Sequence, residues 1–315
     1  MNFTKIGHIV CLTAAGMLAA CNGASLGSES GESAQARSAQ PIAKAAAQTL
    51  PLPQPEPTPA SPPGPATFAF DGQLTQGGWI RGQVPAGTIS ATLGDQTLPL
   101  TEDGQFFAAF DRDAEPSGVL SARISDGRVI ESRVTVSPRT WNIQHINAAK
   151  GTGGGSEAWW KKREPEWLAI RDARAKKTGA TGWQQDFIWP VKGRISGHFG
   201  RQRVYRGEPA NYHSGIDIAP GNGVAFVAPA DGVVVLARNG FSLEGNIIII
   251  DHGGGLNSAF LHASKIAVLE GQSVKQGDYI GNIGATGRVT GPHLHWSLMW
   301  RDARVDPLLF TGPMR

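Results

Sequence analysis

Five of the eight histidines in this 315-residue chain fall between His213 and His295, in a stretch that otherwise reads as short β-strands. Imidazole is the commonest metal ligand among side chains and the commonest general base. His213-Ser214-Gly215-Ile216-Asp217 places an imidazole and a carboxylate four positions apart, with a glycine between them that permits an irregular backbone path. In His293-Leu294-His295-Trp296-Ser297-Leu298-Met299-Trp300 a strand period of two sends His293, His295 and Ser297 to one face. Leu294, Trp296, Leu298 and Trp300 go to the other, where they can anchor the strand. Phe260-Leu261-His262-Ala263 offers a third strand histidine, with Leu261 and Ala263 expected to point away from it toward a core. His252 follows the apolar run Ile247 to Ile250 and precedes three glycines, which suits a structural strand-end hydrogen bond. Several imidazoles and one aspartate without cysteine make a nitrogen and oxygen donor set, for which Zn²⁺ is the usual occupant. A catalytic zinc takes three protein ligands and keeps one position open, so five such groups divide into three ligands and two helpers.

The elements that hold these residues follow from composition. Hydrophobic residues make up 40% and charged residues 17%, with 41 Gly and 21 Pro, so turns are many and a helical bundle is excluded. The expected class is mainly β. A formal charge of +3 without clustered Lys and Arg argues against a nucleic-acid partner. Both cysteines, Cys11 and Cys21, precede any folded stretch, so a disulfide framework is excluded.

Lys5 followed by an apolar run from Ile9 to Ala20 reads as a secretory signal, too short to span a bilayer comfortably. Leu18-Ala19-Ala20-Cys21 resembles the bacterial lipobox, which implies a signal peptide over 1–20 and a lipid-bearing Cys21 that anchors the protein to a membrane. Asn22 in place of aspartate tilts the expectation to the outer membrane over the inner, with the folded part in the periplasm. Residues 21–65 are rich in Ala, Ser and Pro, with eight prolines from Pro51 to Pro65, and read as a disordered tether. Between 66 and 137 alternating stretches such as Trp79 to Val84 and Val119 to Ile124 are punctuated by Asp71-Gly72, Asp103-Gly104 and Asp126-Gly127, the pattern of a small β-sandwich. Residues 138–185 read as a linker with a helix from about Glu166 to Lys177, Pro165 near its first turn and its Lys and Arg side chains in solvent. A sharper expectation is that Trp159, Trp160 or Trp167 packs beside the cleft and restricts entry.

Residues 186–315 resemble the lysostaphin-type (LytM-like) zinc endopeptidases of peptidoglycan. The resemblance rests on Gly193 to Gly200, the H-x-x-x-D of His213 and Asp217, Ala228-Pro229-Ala230-Asp231-Gly232, Phe260-Leu261-His262, Gly284-Ala285-Thr286-Gly287 and His293-Leu294-His295. It implies an antiparallel β-sheet metallopeptidase domain with one Zn²⁺ per chain on His213, Asp217 and His295, and catalytic roles for His262 and His293. It further implies hydrolysis of peptide bonds in stem peptides or cross-links for cell-wall remodelling, with peptidoglycan as partner. His198 stands in the motif order without being a ligand, and the insertion-like Arg201 to Pro209 leaves no auxiliary tyrosine assigned.

Two other readings fit the same residues. Some members of the family have lost ligands and activate cell-wall amidases, which would make an amidase or a division protein the partner; here all ligand and helper positions are present. Two glycine-bounded segments, 229–234 and 270–278, resemble the lipoyl and biotinyl carrier hammerhead, but no lysine sits where a carrier would attach its group.

Overall fold

The computed structural model describes residues 64–151 and 156–314. The signal segment, Cys21 and nearly all of the tether lie outside the described residues. The amino-terminal part holds two antiparallel sheets. One joins Ala69–Gly72, Trp79–Gln83 and Gln105–Ala109; the other orders Gln96–Thr97, Thr88–Leu93, Ser117–Ile124 and Val129–Thr135. Alternation fixes which side of each strand is buried: Leu120, Ala122 and Ile124 face in and Ser121 and Arg123 do not. Asp126-Gly127 makes the turn between the last two strands, with Gly127 at φ +89°, a conformation glycine adopts without steric cost.

The carboxy-terminal part is built on one large antiparallel sheet. Its path runs through Ser273–Val274, Gly232–Phe241, Gly245–Gly253, Leu256–Leu261, Leu294–Trp300, Ile216–Ala219 and Arg194–Gly197, with Ala303–Val305 pairing onto Leu294–Trp300. A second sheet of Ala225–Val227, Tyr279–Ile283 and Ala263–Ile266 packs on it through Phe226, Ile280 and Phe260. The unbroken run Ile247 to Ile250 is explained by burial on both faces. Ile248 and Ile250 enter the main core, while Ile247 and Ile249 meet Ala173 and the partly buried Ala169 and Ile170 of a helix on the opposite face. That opposite face is the one that carries His295, Ser297 and Met299. A third small sheet pairs Gln202–Tyr205 in parallel with Ile143–Ile146, so the insertion-like segment forms a hairpin tied to the chain that precedes it.

The helix runs Glu157–Ala175 and not from Glu166: Ser156 caps it by accepting from the Trp159 N–H, and Pro165 lies inside it. An interior proline costs about 3 kcal/mol. Tertiary bonds just around it offset that cost: the Arg163 guanidinium donates to both Glu244 oxygens at 2.7 Å and to Glu166 at 3.0 Å, and Glu166 accepts from Ser242. The expectation of a solvated basic face fails at Arg174, which is half-buried and bonded to Asn257, and Arg163, just ahead of the expected helix, is buried as well. Trp159 and Trp160 stack on each other, and of the three tryptophans Trp167 is the one that lines the cleft.

The two parts share one hydrophobic cluster. Trp79 packs on Phe310 with ring centroids 5.2 Å apart and donates its indole N–H to the Leu309 carbonyl at 2.9 Å, and Phe107 meets Trp183 and Trp300. His252 lies under this contact, 0% exposed, between the Asp231 carbonyl at 2.8 Å and Ser258 Oγ at 2.7 Å, the structural role its position suggested.

Burial pushes the His252 imidazole down to about 4. Between its ordinary value of 6.5 and about 4, the unfolded chain binds a proton here that the folded chain does not, so stability falls as pH drops through that window. The loss should be of order 3 kcal/mol. Urea denaturation from pH 7 to pH 4 checks this, and His252→Asn should flatten the pH slope even if it lowers stability throughout.

Candidate metal centre

The site is assembled by strand register. Asp217, on Ile216–Ala219, stands directly opposite His295 on Leu294–Trp300, and His295 in turn stands opposite Leu261 at the end of Leu256–Leu261. His213 comes from the loop that leads into Ile216–Ala219, four residues before Asp217. These three side chains converge. Asp217 Oδ1 lies 2.9 Å from His295 Nδ1 and 3.1 Å from His213 Nε2, and the two ring nitrogens lie 3.1 Å apart. Among the described residues they are the one His, Cys, Asp and Glu group of three with metal-ligand spacing.

Two imidazole nitrogens aimed at one carboxylate oxygen, and at each other, suit a shared cation better than a hydrogen-bond network, because two ring nitrogens cannot both be satisfied by one proton between them. Tetrahedral coordination at about 2.0–2.1 Å separates ligand atoms by about 3.3 Å, so this triangle needs to open by only a few tenths of an ångström to accept zinc. The outer contacts also fit: His213 Nδ1 donates to the His198 carbonyl at 3.0 Å, which leaves the Nε2 lone pair free to face a cation. His198 thus contributes its backbone and not its ring. The neighbouring glycines make room. A Cβ on Gly197 would collide with Asp217 Oδ2, and one on Gly215 would come 2.9 Å from His295 Nε2.

The remaining two imidazoles stand beside this triangle. The His262 and His293 ring centroids are 5.0 Å apart, and His293 Nε2 is 3.6 Å from Asp217 Oδ1. His262 Nδ1 is 2.9 Å from the Thr286 carbonyl and His293 Nδ1 is 2.9 Å from the Gly291 carbonyl. A carbonyl only accepts, so each ring carries its proton on Nδ1 and keeps a free lone pair on Nε2. His262 is not held as a regular strand residue. It sits between Leu256–Leu261 and Ala263–Ile266 with φ +68°, its N–H bonded to the Glu244 carbonyl. Leu261 is half-buried, lining the cleft and packed on the smaller buried cluster, while Ala263 enters the main core as expected. Such a backbone conformation is uncommon outside glycine and concentrates at functional sites.

The charges are distributed as a metal site needs. Burial opposes ionisation of Asp217, but the hydrogen bonds and charges of His213 and His295 outweigh it and hold the carboxyl far below the usual range. Burial likewise opposes protonation of His213, yet the Asp217 carboxylate overrides it and raises that imidazole. Burial dominates at His295 and at His262, lowering both; His262 is pushed down to about 4. His262 is thereby neutral near pH 7.

A cleft of about 1090 Å³ opens from His262 and His295 along the sheet and is walled on its far side by Trp167, Ile170 and Arg174 of the helix. Gly197, the His198, Thr286 and Gly291 carbonyls, and Glu244 are contributors that residue types alone did not single out. Gly197 and Thr286 lie in the family-like motifs, but backbone acceptors leave no signature in side-chain pattern.

Residues 211–307 match the model of peptidase family M23. The chain is 42% identical over 132 residues to peptidoglycan DD-endopeptidase ShyA of Vibrio cholerae, covering 40% of this chain and 30% of the relative. It is 38% identical over 122 residues to murein hydrolase activator NlpD of Escherichia coli, covering 39% of this chain and 30% of that one. The chain thus spans under a third of the length of either relative. A solved structure from Pseudomonas aeruginosa assigned to peptidase M23 is similar with a TM-score of 0.60 and 28% identity, covering 77% of this chain and 96% of that chain.

Gly197→Ala should lower metal affinity by about 10- to 100-fold through displacement of the Asp217 carboxylate, the range seen when a ligand's supports are disturbed. Competition with a chromogenic chelator measures it; unchanged affinity would mean that Asp217 is not a ligand.

Proposed function

We propose, on the premise that residues 211–307 are a peptidase family M23 domain, that this protein is a zinc-dependent endopeptidase that hydrolyses peptide bonds in peptidoglycan stem peptides or cross-links. The observation that carries the reading is the convergence of His213 Nε2, Asp217 Oδ1 and His295 Nδ1 beside two imidazoles whose Nε2 lone pairs are free. Those three atoms would hold one Zn²⁺ per chain. When bound, the ion would polarise the scissile carbonyl and make bound water acidic near neutral pH.

The protein's own residues supply the rest. Asp217 contributes the negative charge that favours a divalent cation over two neutral imidazoles alone. The Thr286 and Gly291 carbonyls lock His262 and His293 in the tautomer that presents an unprotonated Nε2 to the site. That nitrogen can accept a proton from the attacking water and return it to the leaving amine. Once protonated, either ring can donate to the oxyanion that develops at the scissile carbonyl. Burial of His262 keeps it neutral, and so ready to accept, well below pH 7. The sheet floor and the helix wall bound the groove that an extended peptide would enter.

The similarity to NlpD supports a second reading, in which the protein regulates cell-wall amidases. The complete donor triangle and the two oriented helper histidines favour retained chemistry. The lipobox-like Leu18 to Cys21 supports anchoring through Cys21 with the domain in the periplasm, the outer membrane favoured over the inner.

Metal analysis of the purified chain should give about one zinc per molecule. Incubation with isolated peptidoglycan should release new amino termini, and His295→Ala should abolish both zinc and release. His262→Ala or His293→Ala should keep zinc and lose about 10²-fold or more in rate. Zinc-replete protein that releases no amino termini yet stimulates a purified amidase would instead support the regulator.

A further inference from the structure

The cleft beside the metal centre carries a charge pattern that hydrolysis alone does not require. Of its three acidic lining residues, Glu244, Asp251 and Asp302, the first two are already engaged. Glu244 takes the Arg163 fork, and Asp251 accepts from the Thr178 N–H and hydroxyl and from the Gly253 N–H. Of its cations, Arg163 and Arg171 are paired with carboxylates and four other arginines are not. Arg174, Arg288, Arg301 and Arg304 all line the cleft, and among the described residues none of them has a carboxylate within ion-pair distance.

Arg174 is the most telling of these. It projects from the last turn of the helix, half-buried, and one guanidinium nitrogen donates to the neutral Asn257 amide oxygen. Burial and the nearby Arg304 charge push it down to about 10 against the weaker pull of Glu244, so it stays protonated near neutral pH with no carboxylate within ion-pair distance to offset its desolvation. Register brings the partners together: Asn257 stands opposite Met299, and Met299 opposite Arg304. Met299 follows His295 by four residues on the same strand face, a separation of about 13 Å at strand rise.

We infer that Arg174 and Arg304 form a carboxylate-binding subsite of the cleft, which holds an anionic side group of an extended peptide substrate about four residues along from the bond at the metal centre. A guanidinium fork matches a carboxylate in two parallel hydrogen bonds, and Arg174, Arg301 and Arg304 outnumber Asp302 at this end of the groove. The inference rests on the reading of the cleft as the substrate groove, and it makes substrate carboxylates, not only the peptide backbone, what the groove recognises.

The test uses the full chain loaded with zinc and a peptidoglycan stem peptide short enough to resist further cleavage, prepared with its carboxylates free and with them amidated. Tryptophan fluorescence reports binding, since Trp167 lines the cleft. Wild type should bind the free acid about tenfold or more tightly than the amide, the scale of a charged hydrogen-bonded pair. Arg304→Gln, at an exposed side chain, should bring the two to within about twofold with zinc content unchanged, and Arg304→Lys should restore part of the preference. Equal binding of acid and amide by wild type, or a preference that survives Arg304→Gln, overturns the subsite. Preference for the acid without release of amino termini from peptidoglycan would remove the peptidase reading and leave the subsite standing; release without preference would do the reverse.

Discussion

Asp217 Oδ1 is the atom on which the rest of the structure turns. Within 3.1 Å of it lie two imidazole nitrogens that would otherwise have no reason to face each other. The arrangement is maintained by cross-strand register, because Asp217 stands opposite His295 and opposite Gly197 on its other side. A one-residue slip of Ile216–Ala219 would turn Asp217 into the core and Ile218 into the cleft. Ile216 and Ile218, both fully buried, hold that register, as do Leu294 and Trp296 on the neighbouring strand. The hydrophobic alternation of two strands and the donor triangle are thus one constraint seen from two faces.

The opposite edge of the site obeys a different rule. His262 leaves the strand pattern through a left-handed residue, and the strain is held by the Glu244 carbonyl on its N–H and the Thr286 carbonyl on its ring. The same Glu244 binds Arg163 of the helix by its side chain, so the backbone that positions His262 is also the anchor of the cleft wall. The buried face of the helix, the loop at Ser242–Glu244 and the histidine form one linked unit.

Much of this was legible in the chain. The alternation of 294–300 correctly separated the ring-bearing face from the anchoring one, and the density of histidines near one aspartate pointed to nitrogen and oxygen ligands. Which imidazoles ligate was carried by motif resemblance and not by spacing, since His213, His293 and His295 are chemically alike until the fold gives them distances. The helix start was misplaced because Pro165 reads locally as a beginning, and only the tertiary bonds of Arg163 and Glu166 explain how it sits in the interior. The orienting carbonyls of His198, Thr286 and Gly291 were invisible for a simpler reason: every residue has one, and direction comes only with coordinates.

The most direct measurement is X-ray absorption at the zinc edge of the metal-loaded chain. The account predicts two imidazole nitrogens and one carboxylate oxygen, with solvent completing a four-coordinate shell, and loss of that shell in Asp217→Asn. A shell of three imidazoles, or one unaltered by the Asp217 substitution, would contradict it.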